Sequence, residues 1–141
     1  MITLDTNVLP GAPGPVPSPA VKAWLGDQPP TSVFTTAVTE AEIRYGIGLM
    51  PDGRRRQSLE AAIMPIFSED LAGRILPFDS DAAAAYATLA IARRKAGRPI
   101  SQFDAQIAAI TLSRGAALAT RNVADFEATG VVIINPWGYR S

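Results

Sequence analysis

Five polar side chains, widely separated in the sequence, carry the groups with which this chain could do chemistry. They are Asp5, Glu42, Asp104, Asn122 and Asp125. Acidic groups gathered in a dry site repel one another, and a bound divalent cation removes that penalty. If folding brings these side chains together, we expect a metal that activates water for in-line attack on a phosphodiester.

Glu42 occupies a position where helical spacing predicts an apolar side chain. The positions i, i+4, i+7 and i+11 of one helical stripe are filled by Val38, Glu42, Tyr45 and Leu49. Glu40 lies about 200° around the helix from Glu42 and is expected to face solvent. A carboxylate on an apolar face is costly unless it is paired or bound to a metal, which makes Glu42 the better candidate.

Asp104 repeats this pattern, since it shares a helical stripe with Ile100 and Ile107. It also has a structural explanation, because Ser101 and Asp104 have the spacing of a helix cap in which the acid favours the helix dipole. The sequence leaves both roles open.

The other candidates have structural alternatives too. Asp5 follows an apolar run and could close an Asx turn with its own backbone. Glu42 could complete a capping box if the helix began at Thr39. Asn122 and Asp125 could be turn or N-cap residues in the polar segment after a second apolar run.

The residue types absent from the sequence exclude several kinds of catalytic and metal site. The chain contains no His and no Cys, which excludes thiol nucleophiles, histidine bases and Cys/His zinc sites. A metal in this protein must therefore be hard and oxygen-bound. We expect Mg²⁺, with Mn²⁺ as a plausible substitute.

The charge balance does not by itself indicate nucleic-acid binding, because 13 basic residues match 13 acidic ones. Eleven of the basic residues are Arg, the better bidentate phosphate ligand. Two basic clusters, 54–56 and 93–95 with Arg98, are either solvated helix faces or phosphate contacts.

Length and composition are those of one globular domain over residues 1–141. The chain is 48% hydrophobic and 18% charged, which is ordinary for a soluble protein. No apolar run approaches the roughly 20 residues of a membrane helix. The start shows no charged-then-apolar leader, so we expect a cytoplasmic location and no membrane contact.

Short apolar runs alternate with helical patterns along the chain. Strands are predicted over 1–4, 32–35, 74–78, 117–120 and 131–134. Helices are predicted over 20–27, 37–49, from 52 to a kink or end at Pro65, 82–96 and 101–114, with an exposed loop over 10–19. This order predicts an α/β fold with a small, mostly parallel sheet flanked by helices. The carboxyl ends of its strands would then bring Asp5 to the same edge as Asn122 and Asp125.

Four segments in this order resemble the PIN-domain family, most closely its VapC/FitB branch of toxins from type II toxin–antitoxin pairs. They are residues 4–9, residues 39–47, residues 97–101 together with 104–109, and residues 118–126, the last followed by Asn-Pro-Trp at 135–137. The resemblance covers about residues 1–137. It implies a PIN fold, Mg²⁺-dependent endoribonuclease activity on RNA, a homodimer, and a cognate antitoxin that blocks the site in a heterotetramer or larger assembly.

The resemblance also assigns roles to residues. Asp5, Glu42 and Asp104 match the family's three core acids, and Asp5 and Asp104 match its usual metal ligands. Glu42 is expected to bind the metal through a water molecule or to orient the attacking water. Asn122 falls at the fourth acidic position, with Asp125 three residues later. Four arginines are candidate RNA contacts: Arg44, Arg94, Arg98 and Arg121.

Departures from the family pattern leave other hypotheses open. The Pro-rich stretch 10–15 is expected to alter the loop beside Asp5, and Phe103 to narrow the site. With Asn122 at an acidic position, the chain could be a catalytically weak or inactive PIN domain that binds RNA or a partner. A haloacid-dehalogenase-type phosphatase would need a second Asp two residues after Asp5, and Asn7 argues against it.

Overall fold

The computed structural model describes residues 1–9 and 18–140. The predicted loop over 10–19 therefore lies outside the described residues, except for its last two. Pro19 is not part of a loop but the first residue of a helix. Proline suits that position because its fixed φ is already helical and its missing N–H would have had no partner there.

Five parallel strands form the centre of the fold. They are β1 (Ile2–Leu4), β2 (Val33–Thr36), β3 (Ile75–Leu76), β4 (Ala117–Ala119) and β5 (Val132–Ile134). Their order in the sheet is β3-β2-β1-β4-β5, and every pairing is parallel. The predicted α/β class is confirmed. Because the strand order reverses between β1 and β4, the carboxyl ends of these two strands border the crevice where α/β folds bind ligands.

Five helices connect the strands. They are α1 (Pro19–Gly26), α2 (Ala37–Gly48), α3 (Arg54–Pro65), α4 (Ser80–Lys95) and α5 (Gln102–Ser113). The expected end of α3 at Pro65 is confirmed, although one π-helical turn, Ile66–Asp70, continues from it. Asp79 and Ser101 cap α4 and α5 with side-chain oxygens. The sequence predicts Ser101 as the cap of α5 and leaves Asp79 and Ser80 as alternatives for α4, of which Asp79 is confirmed.

Both faces of the sheet are covered by apolar side chains. Leu118 and Ala119 are consecutive in β4 and belong to different clusters of buried residues, because successive strand residues point to opposite faces. The cluster around Ala119 includes residues of α1, α2 and α3. The cluster around Leu118 includes residues of α4 and α5. In the described ranges, no helix is long and apolar enough to cross a membrane.

Candidate active site

Asp5 lies directly after the central strand β1 and is only 5% exposed. Its N–H donates to the carbonyl of Ala119 at 3.0 Å, which extends the β1–β4 pairing by one residue. Its Oδ1 accepts the N–H of Thr6 at 2.8 Å, and its Oδ2 accepts the hydroxyl of Thr120 at 2.8 Å. Asp5 therefore does bond to the neighbouring backbone, but its second oxygen is held by a residue 115 positions away.

Burial is the main reason that the pKa of Asp5 is raised above its ordinary value. The hydrogen bonds from Thr120 and Thr6 lower this pKa, since both stabilise the ionised form. The negative charges of Asp104 and Asp125 raise it. This mutual repulsion is what the sequence analysis expected of acids gathered at one edge of the sheet.

Glu42 points into the same region from α2. The helix is capped by Thr36, whose Oγ1 accepts the N–H of Thr39 at 3.0 Å. The alternative that Thr39 caps the helix and Glu42 closes a capping box is therefore wrong. Burial, followed by the charges of Asp5 and Asp104, raises the pKa of Glu42 to about 7.

The apolar stripe expected around Glu42 is not a core face. Tyr45 is 70% exposed and Leu49 is 67% exposed, and the buried residues of α2 are Thr39, Ile43 and Ile47. Glu42 is half-buried at the edge of this core face. Glu40, which was expected to face solvent, has 22% of its side chain exposed, and its Oε2 lies 2.7 Å from Arg44 Nη2 in an ion pair.

Asp104 lies in the first turn of α5, and its N–H donates to Ser101 Oγ at 3.2 Å. The predicted cap is confirmed, and it coexists with a position at the site. Burial is the main cause that raises the pKa of Asp104, and a side-chain hydrogen bond from Ser101 lowers it. The charge of Asp125 raises this pKa, and the charge of Arg93 lowers it.

A cavity of about 270 Å³ brings four of the five predicted site residues together. Its lining consists of Asp5, Thr6, Asn7, Glu42, Asp104 and Asn122. Asp125 does not line it but lies in the 3₁₀ turn Val123–Phe126. Its charge nevertheless acts on both Asp5 and Asp104. Phe103, expected to narrow the site, is 54% exposed and is not part of the lining.

Thr120 connects two of these residues and was not predicted from the sequence. Its hydroxyl donates to Asp5 and accepts the N–H of Asn122 at 3.0 Å. The available signal was a hydroxyl residue at the end of a predicted strand, in line with Asp5. The chain also contributes Thr6 and Asn7 to the lining, directly after Asp5.

Arg93 is a second residue whose role was missed. The sequence assigned it to a solvated or phosphate-binding cluster, but it is only 5% exposed. Its Nε donates to the carbonyl of Arg98 at 2.6 Å, and its Nη1 donates to the carbonyls of Asp125 and Glu127 at 2.8 Å each. Arg93 thus ties the end of α4 to the turn that carries Asp125.

The other arginines differ in how they are engaged. Arg56 pairs with both Asp52 and Glu60, and Arg98 pairs with Glu127 at 3.2 Å. Most of the remaining basic side chains are exposed: Arg54, Arg55, Arg94, Lys95 and Arg121.

The donor set of the cavity suits a hard cation, because every polar side-chain atom that could ligate there is a carboxylate, amide or hydroxyl oxygen. Within residues 1–9 and 18–140, no three acidic side chains are arranged to hold an ion by themselves. Mg²⁺ is commonly bound through one or two carboxylates, with water and substrate phosphates completing its shell. The lining fits an open site of that kind, in which Asp5 and Asp104 could hold the ion.

Comparison with known proteins identifies the family. The family model of the PIN domain matches residues 2–131. The chain is 42% identical to the VapC ribonuclease Y4jK of Sinorhizobium fredii, covering 97% of this chain and 98% of that protein. It is 38% identical to toxin FitB of Neisseria gonorrhoeae, over 97% of this chain and 99% of that protein.

A solved structure agrees with these matches. The crystal structure of FitAcB from Neisseria gonorrhoeae superposes with a TM-score of 0.89 at 36% identity, covering 98% of this chain and 99% of that chain. The fold, the family model and the relatives all agree on the same family. This chain belongs to the PIN-domain family.

Proposed function

We propose that this protein is a Mg²⁺-dependent endoribonuclease and the toxin of a type II toxin–antitoxin pair. The observation that carries the proposal is the single cavity lined by Asp5, Glu42 and Asp104, which come from three distant segments. The printed names of the relatives, a VapC ribonuclease and toxin FitB, support the same activity and role.

In this proposal Asp5 and Asp104 hold Mg²⁺, for which Mn²⁺ can substitute. When bound, the ion lowers the pKa of water and offsets the charge of the scissile phosphodiester. Thr120 holds one oxygen of Asp5 through a 2.8 Å hydrogen bond, which leaves the orientation of this carboxylate fixed. Such an outer hydrogen bond is what orients a metal ligand.

Glu42 orients the attacking water and accepts its proton. This role suits its half-buried position on the wall of the cavity. Asn122 contributes a neutral amide to the same wall, and it can hold a phosphate oxygen or a water without adding charge. Asp125, outside the lining, supplies the additional negative charge that an acid in place of Asn122 would have brought.

We also propose that the chain binds a partner protein and a second copy of itself. A solved structure of FitAB bound to a DNA fragment, at 35% identity and a TM-score of 0.90, supports a partner protein for this chain. We infer that the partner is an antitoxin that covers the cavity, and that a homodimer of the chain takes part in a heterotetramer or larger assembly. Because its substrate is cellular RNA, we infer that the protein acts in the cytoplasm.

RNA cleavage assays test the activity directly. Purified protein is incubated with RNA in the presence of Mg²⁺, of Mn²⁺, and of EDTA, and compared with the Asp5→Asn variant. We expect cleavage with either ion and none with EDTA or with Asp5→Asn. Undiminished cleavage by Asp5→Asn would exclude this site.

A matched pair on α2 sharpens the test. Glu42→Gln removes the carboxylate from the cavity wall, whereas Glu40→Gln changes a neighbour that does not line it. We expect the first to lose most activity and the second to keep it. If the wild-type protein binds RNA with Mg²⁺ but never cuts it, the chain is instead a non-catalytic PIN domain, which Asn122 at the fourth acidic position would explain.

A further inference from the structure

Arg121 lies at the rim of the acidic cavity. Its N–H donates to Oδ1 of Asn7 at 3.3 Å, and Asn7 lines the cavity. Its two chain neighbours belong to the same site, since Thr120 bonds to Asp5 and Asn122 lines the cavity. The backbone of this exposed arginine is therefore fixed beside the proposed reaction centre.

The side chain of Arg121 lies over an aromatic ring. Its Cζ lies 5.5 Å from the centre of the Trp137 ring, a distance typical of a cation–π contact. Trp137 is itself held in place. Its side chain packs against the apolar cluster that includes residues of α1, and its backbone N–H donates to Asn135 Oδ1 at 3.1 Å. The Trp137 ring thus positions the guanidinium of Arg121, and the apolar cluster in turn positions the ring.

A second arginine also lies over an aromatic ring, and it differs from Arg121 in having an acidic partner. The Cζ of Arg44 lies 5.7 Å from the centre of the Phe67 ring, a similar geometry. Arg44, however, donates from Nε to Glu40 Oε2 at 2.8 Å and forms an ion pair with it. The ion pairs found in the described ranges do not include Arg121. The Arg121 guanidinium therefore lies over a ring, and within the described ranges no carboxylate neutralises its charge.

We propose that Arg121 and Trp137 form a subsite for a backbone phosphate of single-stranded RNA, on a nucleotide adjacent to the one held over the cavity. The inference rests on the proposed ribonuclease function and adds a substrate-positioning element to it. The contact with the ring uses none of the guanidinium N–H donors, and within the described ranges these donors have no hydrogen-bond acceptor, so they are available for two phosphate oxygens. The acids that line the cavity repel a polyanion, and a fixed positive charge at the rim attracts the strand next to them.

Binding measurements test the subsite separately from cleavage. A fluorescein-labelled single-stranded RNA of mixed sequence is titrated with the full chain in Ca²⁺ instead of Mg²⁺, and a gel confirms that the strand stays intact. We expect Arg121→Gln to weaken binding about tenfold and to lower the slope of log Kd against log salt by about 1. Arg121→Lys, which keeps the charge but not the planar fork, should recover part of the affinity.

The control is Arg55→Gln, which removes an exposed charge on α3 that does not line the cavity. It should weaken binding by less than about twofold, because a distant exposed charge is screened by salt. Equal losses in Arg121→Gln and Arg55→Gln would mean that only net charge matters and would overturn the subsite.

Tryptophan fluorescence supplies a readout that a purely structural role would not change. The chain has two tryptophans, and Trp24 is buried at 5% exposure in the core. RNA binding at the subsite should therefore alter the emission of Trp137, and Trp137→Phe should remove most of that change. An RNA-dependent emission change that persists in Trp137→Phe would contradict the proposal.

The outcomes separate this inference from the proposed function. If wild-type protein binds RNA without cutting it in Mg²⁺, the ribonuclease proposal fails while the Arg121 loss can still support the subsite. If Arg121→Gln binds and cuts like wild type, the subsite fails and the activity stands. If Arg121→Gln disturbs only the binding of a partner protein, the residue belongs to a protein interface and the subsite is overturned.

Discussion

The hydroxyl of Thr120 donates a 2.8 Å hydrogen bond to Oδ2 of Asp5, across two neighbouring parallel strands. Both residues are buried. The same hydroxyl oxygen accepts the N–H of Asn122 at 3.0 Å. One side chain therefore fixes the carboxylate at the end of β1 and the start of the polar segment after β4, which are two walls of the acidic cavity.

Replacing Thr120 by Val should damage the site without changing its shape. The substitution removes the donor to Asp5 and leaves a buried carboxylate oxygen and the N–H of Asn122 without this partner. Loss of such bonds typically costs about 1–3 kcal/mol of stability, and loss of a residue that orients a metal ligand lowers metal affinity about 10–100-fold. Urea unfolding and calorimetric Mg²⁺ titration measure the two effects.

Thr120→Ser is the matched control for this change, because it keeps the hydroxyl and loses only a methyl group. It should retain most of the metal affinity. If Thr120→Val binds Mg²⁺ as tightly as wild type, the Thr120–Asp5 bond has no role in orienting the carboxylate.

The pKa of Glu42, raised to about 7, predicts a pH-dependent activity. Below this pH the carboxyl is protonated, so it can neither accept a proton from water nor attract a cation. Activity at limiting Mg²⁺ should therefore rise as the pH increases through about 7 and level off above it. Saturating Mg²⁺ should move the rise to lower pH, because a cation favours the ionised form.

Cleavage rates measured across this pH range at two Mg²⁺ concentrations check this prediction. Glu40→Gln should leave the midpoint of the rise unchanged, since Glu40 does not line the cavity. A rising limb that stays at the same pH whatever the Mg²⁺ concentration would argue against a carboxylate of this cluster as its origin.

The same cluster predicts that the metal-free protein loses stability as the pH rises. The folded-state pKa of Glu42 lies above its ordinary value of 4.5, so the folded state holds the proton more tightly than the unfolded state does. Its contribution to stability is complete below about pH 4.5 and is lost as the pH rises through about 7. The raised pKa values of Asp5 and Asp104 act with the same sign.

Thermal unfolding in EDTA at about pH 8 tests this relation. Because Glu42 is only half-buried, solvent screening reduces the effect, and we expect Glu42→Gln to stabilise the protein by about 1 kcal/mol. That corresponds to an increase in Tm of about 2–4 °C for a domain of this size. Glu40→Gln, which breaks the ion pair with Arg44, should give no such increase.

Much of the fold followed from local patterns in the sequence. Ser101 caps a helix where its spacing to Asp104 predicted, Asp79 is one of the two caps expected for α4, and Pro65 ends α3. Asp5 was found at the expected edge because it directly follows a short apolar strand. These predictions worked because caps, prolines and strand ends are decided by residues close in sequence.

The wrong and missed predictions concern side chains whose surroundings are set by residues distant in the sequence. Helical spacing selected Glu42 correctly over Glu40 for the cavity wall, but it could not tell that Tyr45 and Leu49 face outward. Periodicity gives the angle between side chains and not the side on which the rest of the protein lies. Thr120 was missed for a similar reason, because its partner Asp5 is 115 residues away.

Arg93 is the clearest case in which distant contacts decide the position of a side chain. A charge run usually marks a solvated helix face, yet Arg93 is buried with three bonds to backbone carbonyls. Arg93→Met should destabilise the protein by about 3 kcal/mol, because those carbonyls lose their donors. It should also raise the pKa of Asp104 further, since the Arg93 charge now lowers it.

Urea unfolding and the pH profile of cleavage together measure these effects. Arg93→Lys keeps the charge but lacks the fork that reaches carbonyls on both sides, so it should restore the pH profile while recovering only part of the stability. Arg94→Met, which changes the adjacent exposed arginine, should alter neither quantity. If Arg93→Met unfolds at the same urea concentration as wild type, the turn that carries Asp125 is held by something other than this guanidinium.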